Sequence, residues 1–152
     1  MADRAGQASG AGSTARAGGP AQGAGRPLRK HTYKCPMRWS DMDAYGHVNN
    51  ARYLTYLEEA RVDFTDALIA GGATPFLERG VLVAHHEIRY LRPLVYRAAP
   101  VPIDVWVTQL GGASFEVSYE VYDEQDATTP RCTYARARTT IVSYDFAHDR
   151  MR

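Results

Sequence analysis

Three residues separate the carboxylate of Asp43 from His47 in the run Asp41-Met42-Asp43-Ala44-Tyr45-Gly46-His47-Val48-Asn49-Asn50, which feeds directly into a helix-patterned segment. Acyl-transfer chemistry wants that juxtaposition. A loop carboxylate such as Asp43 can attack an acyl carbon to give a mixed anhydride, or deprotonate the water that attacks it. The first N–H groups of a helix have no intrahelical partners and can receive a developing negative charge. The same Asp also suits a turn or a helix cap. Asp41 suits a loop-orienting role, accepting backbone N–H bonds, and a like-charged neighbour would raise the pKa of one of the pair. Gly46 permits a backbone conformation that other residues avoid, or a close approach of substrate. His47 could position Asp43 or bond to a carbonyl, and equally suits a satisfied structural role. Asn49 and Asn50 are good helix-start residues.

The elements around this loop follow from periodicity. Tyr53, Leu57, Ala60, Phe64, Ala67 and Leu68 recur at helical spacing, with Glu58, Glu59, Asp63 and Asp66 largely off that stripe. Gly71-Gly72 supplies the stop. Before the loop, His31 to about Ser40 reads as a strand. From Leu82 the period becomes two. Strands are expected over Leu82–Leu91, around Val101–Val107, around Phe115–Val121 after the Gly111-Gly112 turn, and around Ala135–Ile141. Strand, loop, long helix and four consecutive strands make an α+β domain with a largely antiparallel sheet. The helix must lie across one sheet face, where the small Ala135 and Ala137 allow close approach.

Composition sets the outer limits. A chain of 152 residues fits one domain, and a net charge of +1 argues against a broad nucleic-acid face. It holds no apolar run of membrane-spanning length and no secretory signal pattern. The two cysteines, Cys35 and Cys132, are too few for a disulfide framework, so a reduced, cytoplasmic protein is expected. Residues 1–29 lack Phe, Trp, Tyr, Ile and Val and read as a disordered Ala/Gly/Arg-rich tail before a folded domain at 30–152. A transit peptide is the rival reading of that tail, but its seven glycines would spoil an amphipathic helix.

Loop and element order together resemble the hotdog-fold acyl-CoA thioesterases, in the hydroxybenzoyl-CoA thioesterase-like branch, over about residues 31 to 146. The motif that carries the resemblance is Asp41-x-Asp43-x-x-Gly46-His47-Val48-Asn49-Asn50-x-x-Tyr53. Leu57-Glu58-Glu59-Ala60-Arg61 and Tyr90-Leu91-Arg92-Pro93-Leu94 support it. The resemblance implies a five-stranded sheet wrapped around one long central helix, paired into a homodimer or homotetramer with active sites at the interface. It implies hydrolysis of an acyl-coenzyme A thioester without cofactor or metal, while the charge and the lack of a spanning apolar run argue against a nucleic-acid or membrane partner. The branch's catalytic carboxylate maps onto Asp43 and its polarising backbone N–H onto the helix start near Asn50; His47 is a further catalytic candidate, and Tyr45, Gly46 and Val48 are candidates beside the substrate. Plant acyl-carrier-protein thioesterases are similar in this loop, but carry Asn where Tyr45 stands.

Rivals remain at several positions. Helical Glu58 or Glu59 is the alternative catalytic carboxylate, although Glu58 and Arg61 also read as an ion pair. Arg89 and Arg92 suit the phosphates of coenzyme A, as do Arg97, Arg136 and Arg138, or else these form a solvated sheet face. Tyr53, Tyr56 and Tyr90 could shorten an acyl tunnel. In His85-His86-Glu87 the adjacent histidines of a strand point to opposite faces, so no metal site is expected. Carrier-protein thioesters are the alternative substrate, and a non-catalytic acyl-CoA-binding module the alternative class.

Overall fold

The computed structural model describes residues 30–72, 80–124, 128, 130–148 and 150–151. The tail expected over 1–29 lies outside them. Strand β1 (His31–Cys35) ends where Pro36 removes a backbone donor. It is shorter than the run to Ser40 that its pattern suggests, and Trp39–Asp41 instead wind a 3-10 turn. Helix α1 (Asn50–Ala70) follows the loop. Then come β2 (Val81–Tyr90), β3 (Val101–Leu110), β4 (Ser114–Asp123), β5 (Cys132–Asp145) and the two-residue β6 (Arg150–Met151).

The strands lie in the order β1-β3-β4-β5-β2, every pair antiparallel, with β6 attached to β5 as an addition to the expected five. β1 and β2 are therefore the two edges, and the loop and α1 connect them. α1 begins at Asn49, whose side chain accepts the Ala51 N–H. It ends as Gly71 N–H bonds back to Ala67 O, and Gly72 turns the chain away at a φ of 87°, a left-handed value that suits glycine. Tyr53, Tyr56, Leu57, Ala60 and Phe64 are its buried stripe.

Strand alternation decides which side chains that stripe meets. Ile88, Ala137, Tyr119 and Val105 align in register across the sheet, as do Tyr90, Ala135, Val121 and Ile103. Apart from the half-exposed Tyr90 at the β2 edge, these rows face α1 and pack into the core with it. Leu57 is 1 % exposed there, and truncating such a side chain to Ala costs about 2–5 kcal/mol. The intervening rows, Arg89-Arg136-Glu120-Asp104 and Glu87-Arg138-Ser118-Trp106, form the opposite, charged face. Among the described residues no helix is long and apolar enough to cross a membrane.

Candidate active site

The loop between the 3-10 turn and α1 is a small closed hairpin. Asn49 N–H donates to Asp41 O at 2.8 Å, and Asp43 N–H to His47 O at 2.8 Å. Gly46 N–H donates to Asp43 O at 3.1 Å, and Gly46 takes a φ of 75°, so the turn depends on a residue without Cβ. Val48 N–H donates to Leu94 O at 2.8 Å, which ties the hairpin to the chain leaving β2.

Within it, Asp43 Oδ1 accepts the N–H of Tyr45 at 2.8 Å and of His47 at 3.2 Å. Oδ2 receives no bond from the described residues. The bland expectation, a turn-forming Asp, is thus met by one oxygen and leaves the other available. At the helix start a similar division occurs. Ala51 N–H is capped by the Asn49 side chain at 2.9 Å, and Arg52 N–H donates to Asn49 O at 2.9 Å. Asn50 N–H has no partner among the described residues.

Asp43 and Asn50 line one cavity of about 360 Å³. His47 and the buried Val48 line it from the loop, Tyr53 from α1, and Tyr90 with the segment Leu91–Leu94 from the end of β2. Tyr90 Oη donates to Asn50 O at 3.0 Å and meets the Tyr53 ring edge-on, centroids 5.2 Å apart. Burial, then the nearby Tyr90 and Tyr134, pushes the Tyr53 phenol up to about 12, and burial raises Tyr90 also. Both phenols are neutral at neutral pH and serve as wall and donor, not as bases. Arg92 lines the same cavity and its Nη1 contacts Cys132 Sγ at 3.5 Å, with no carboxylate partner among the described residues.

Of the expected site residues, Asp43, His47, Val48, Asn50 and Arg92 are brought together. Tyr45 is 85 % exposed, and neither it nor Gly46 lines the cavity. Arg89 is not brought there: one residue before the inward-facing Tyr90, it falls on the charged outer face, opposite Arg136. Tyr53 and Tyr90 are wall residues, whereas Tyr56 is buried and bonded to Asp41. The rival carboxylates stand elsewhere. Glu59 accepts from Tyr33 Oη at 3.2 Å, and Glu58 is 3.8 Å from Arg61 in a separate cavity with Val62 and Leu82. His86 bonds Thr139 Oγ1 at 2.8 Å while His85 is exposed. No cluster of three or more metal-ligating His, Cys, Asp or Glu occurs among the described residues. Leu91, Pro93 and Leu94 also line the cavity; the sequence marks them only as a strand end and a supporting motif, not as site residues.

A cavity lined by Asp43, with one oxygen unbonded among the described residues, and by the helix-start residue Asn50 offers a carboxylate that can activate water, or attack directly, at a carbonyl whose oxygen gains charge. A family model described as the thioesterase-like superfamily matches residues 37–151. Among solved structures, the PA2801 protein of Pseudomonas aeruginosa, assigned as a thioesterase, is 31% identical, with a TM-score of 0.65 over 84% of this chain and 92% of that one. A Xanthomonas campestris protein assigned as an acyl-CoA thioesterase is 31% identical, with a TM-score of 0.62 over 80% of this chain and 96% of that one. The DHNA-CoA thioesterase of Staphylococcus aureus shares the fold at 16% identity, with a TM-score of 0.65 over 81% of this chain and 79% of that one. No match is found among curated proteins. With a fold, a loop and a family model in agreement over most of its length, the chain belongs to the thioesterase-like superfamily and is a hotdog-fold thioester hydrolase.

Proposed function

We propose that the substrate is an acyl-coenzyme A thioester, hydrolysed to the free acid and coenzyme A with Asp43 as the catalytic carboxylate. One observation carries the reading: Asp43, with one oxygen unbonded among the described residues, and Asn50, whose N–H has no partner among them, line the same cavity. With Oδ1 held by two N–H groups, Oδ2 takes a proton from water while the water oxygen bonds to the acyl carbon. The C–S bond then breaks and the departing thiolate takes a proton. In the nucleophilic variant Oδ2 itself bonds the acyl carbon, the thiolate leaves, and water cleaves the mixed anhydride. In both, charge on the carbonyl oxygen is received by Asn50 N–H at the positive end of α1. His47 borders the carbonyl, Val48 and Tyr53 exclude water, and Arg92 meets phosphate oxygens of the coenzyme. The Xanthomonas relative, assigned as an acyl-CoA thioesterase, supports the substrate class.

A second copy completes this site in our reading. The free edge of β2 exposes Leu82, Val83 and Tyr90, and the adjoining face of α1 exposes Leu54 and Val62. Antiparallel pairing of two β2 edges would cover these residues and close the cavity beside Tyr90. Free thiols at Cys35 and Cys132 suit the reducing cytoplasm. The test is thiol release from short, long and aromatic acyl-CoAs and from acyl-carrier-protein thioesters, with Asp43→Asn as control. Turnover of the coenzyme A esters is expected; turnover of carrier-protein esters alone would move the substrate class, and binding without turnover would refute the chemistry. Light scattering should give a dimer, and Val83→Arg should yield monomers with little activity.

A further inference from the structure

Asp41 stands two residues before Asp43 and takes no part in the chemistry above, yet it is only 4 % exposed. A buried carboxylate needs partners, and Asp41 draws them from both sides of the loop. Its Oδ2 accepts the Arg38 N–H at 3.0 Å from the chain before the 3-10 turn. The same oxygen accepts Tyr56 Oη–H at 2.7 Å, from the second turn of α1. Its backbone oxygen accepts Asn49 N–H at 2.8 Å, which closes the hairpin at the residue that caps the helix. Arg52 Nε stands 3.8 Å from Oδ1.

These bonds join pieces that must act together. The hairpin carries Asp43, and α1 carries the Asn50 N–H. Backbone bonds close the hairpin and tie Val48 to Leu94 beside β2, which leaves its tilt against the helix axis for side-chain bonds to limit. Tyr56 lies about 9 Å along that axis from Asn50, and its ring is buried in the core at 3 % exposure. A bond from so rigid a side chain to the foot of the hairpin removes that tilt. Burial, then the bond to Asp41, raises the Tyr56 phenol, so it stays a donor across the working pH range.

We infer that the Asp41–Tyr56 hydrogen bond is a positioning device, which sets the Asp43 carboxylate in register with the Asn50 N–H. It rests on the roles proposed for Asp43 and Asn50. Tyr56→Phe keeps the packed ring and deletes the donor. Misplacing reacting groups by about an ångström can cost up to roughly a hundredfold. We expect kcat to fall about 10- to 100-fold with KM within about twofold, and the Gly46 and His47 amides to exchange about tenfold faster. Asp41→Asn, which retains one acceptor oxygen, should fall between parent and Tyr56→Phe. Tyr33→Phe is the control: it deletes a bond from β1 to Glu59 on the same helix, and kcat should hold. Full kcat in Tyr56→Phe beside an inactive Asp43→Asn enzyme overturns the positioning role alone, as does an equal loss in Tyr33→Phe. An Asp43→Asn enzyme at the parent rate overturns the assigned chemistry instead, and the exchange rates still report whether the bond holds the hairpin.

Discussion

Glu120 and Asp43 are both carboxylates on this chain, one on the charged outer face of the sheet and the other in the loop before α1. Glu120 is saturated: Arg131 at 2.6 Å, Thr133 at 3.1 Å and Arg136 at 3.1 Å all donate to it. Its neighbour Asp104 receives Thr32 at 2.8 Å and Tyr122 at 2.9 Å, with Lys30 at 3.5 Å. Among the described residues Asp43 has two backbone donors, both on one oxygen. Partners that saturate a carboxylate stabilise a fold and silence the group as a base or nucleophile. A carboxylate held by one oxygen is oriented while the other stays reactive. The same contrast separates Asn50 N–H from its capped neighbours Ala51 and Arg52.

Asp43→Asn breaks this contrast most severely. General acid–base catalysis is worth about 10²–10⁴-fold, so kcat should fall by that order. The melting temperature should move little, because an Asn oxygen still accepts the two N–H bonds. A kcat within a few-fold of the parent refutes the assignment. Next in size is Asn50→Pro. Proline is tolerated at the first helical position and lacks the N–H, and Asn49 already has the extended ψ of 137° that a residue before proline adopts. Loss of one oxyanion donor costs about 10²–10³-fold in kcat. Asn50→Ala keeps the N–H and should retain nearly full activity, so equal losses in the two variants would assign the effect to the side chain.

How far the sequence reached depends on range. The long helix was legible because Tyr53, Leu57, Ala60 and Phe64 keep one face, and all four are buried. The strands after Leu82 were legible by alternation, and the loop by residue type. Bonds that depend on how one element is rotated against another were not. Nothing in sequence pairs Asp41 with Tyr56, fifteen positions on. The third wall of the cavity arrives from Leu91–Leu94, forty residues past the loop. Arg89 is the sharpest case: its side of the sheet follows from the phase of β2, and that phase is set only once Tyr90 is seen to pack on Tyr53. The early end of β1, by contrast, was readable from Pro36.

That phase gives a smaller prediction. Arg92 lines the Asp43 cavity, whereas Arg89 shares the outer face with Arg136. Arg92→Ala should raise KM for coenzyme A esters by about 5- to 20-fold with kcat preserved, the size of one lost charge-assisted contact. Arg89→Ala should leave both constants near the parent values. A reversed pattern would mean that the coenzyme crosses the sheet edge to the outer face.

The smallest effect concerns the saturated side of the comparison and is read in stability, not rate. Burial pushes the Glu120 carboxyl up, but the hydrogen bonds from Arg131, Arg136 and Thr133 outweigh it and hold the group below its ordinary value of 4.5. Asp104 is likewise held below its ordinary 3.8, burial being outweighed by Thr32, Tyr122 and Lys30. A group whose pKa is lower folded than unfolded adds stability above its unfolded value and loses it as pH falls through the folded one. The stability from these two should thus be complete above about pH 5 and fade below it. Glu120→Gln abolishes one titration. It should lower the melting temperature at pH 7 more than at acid pH, so its acid limb is shallower than the parent's. Parallel limbs would mean that the partners of Glu120 add nothing selective for its charged form, and that exposed guanidinium groups such as that of Arg136 are screened by solvent.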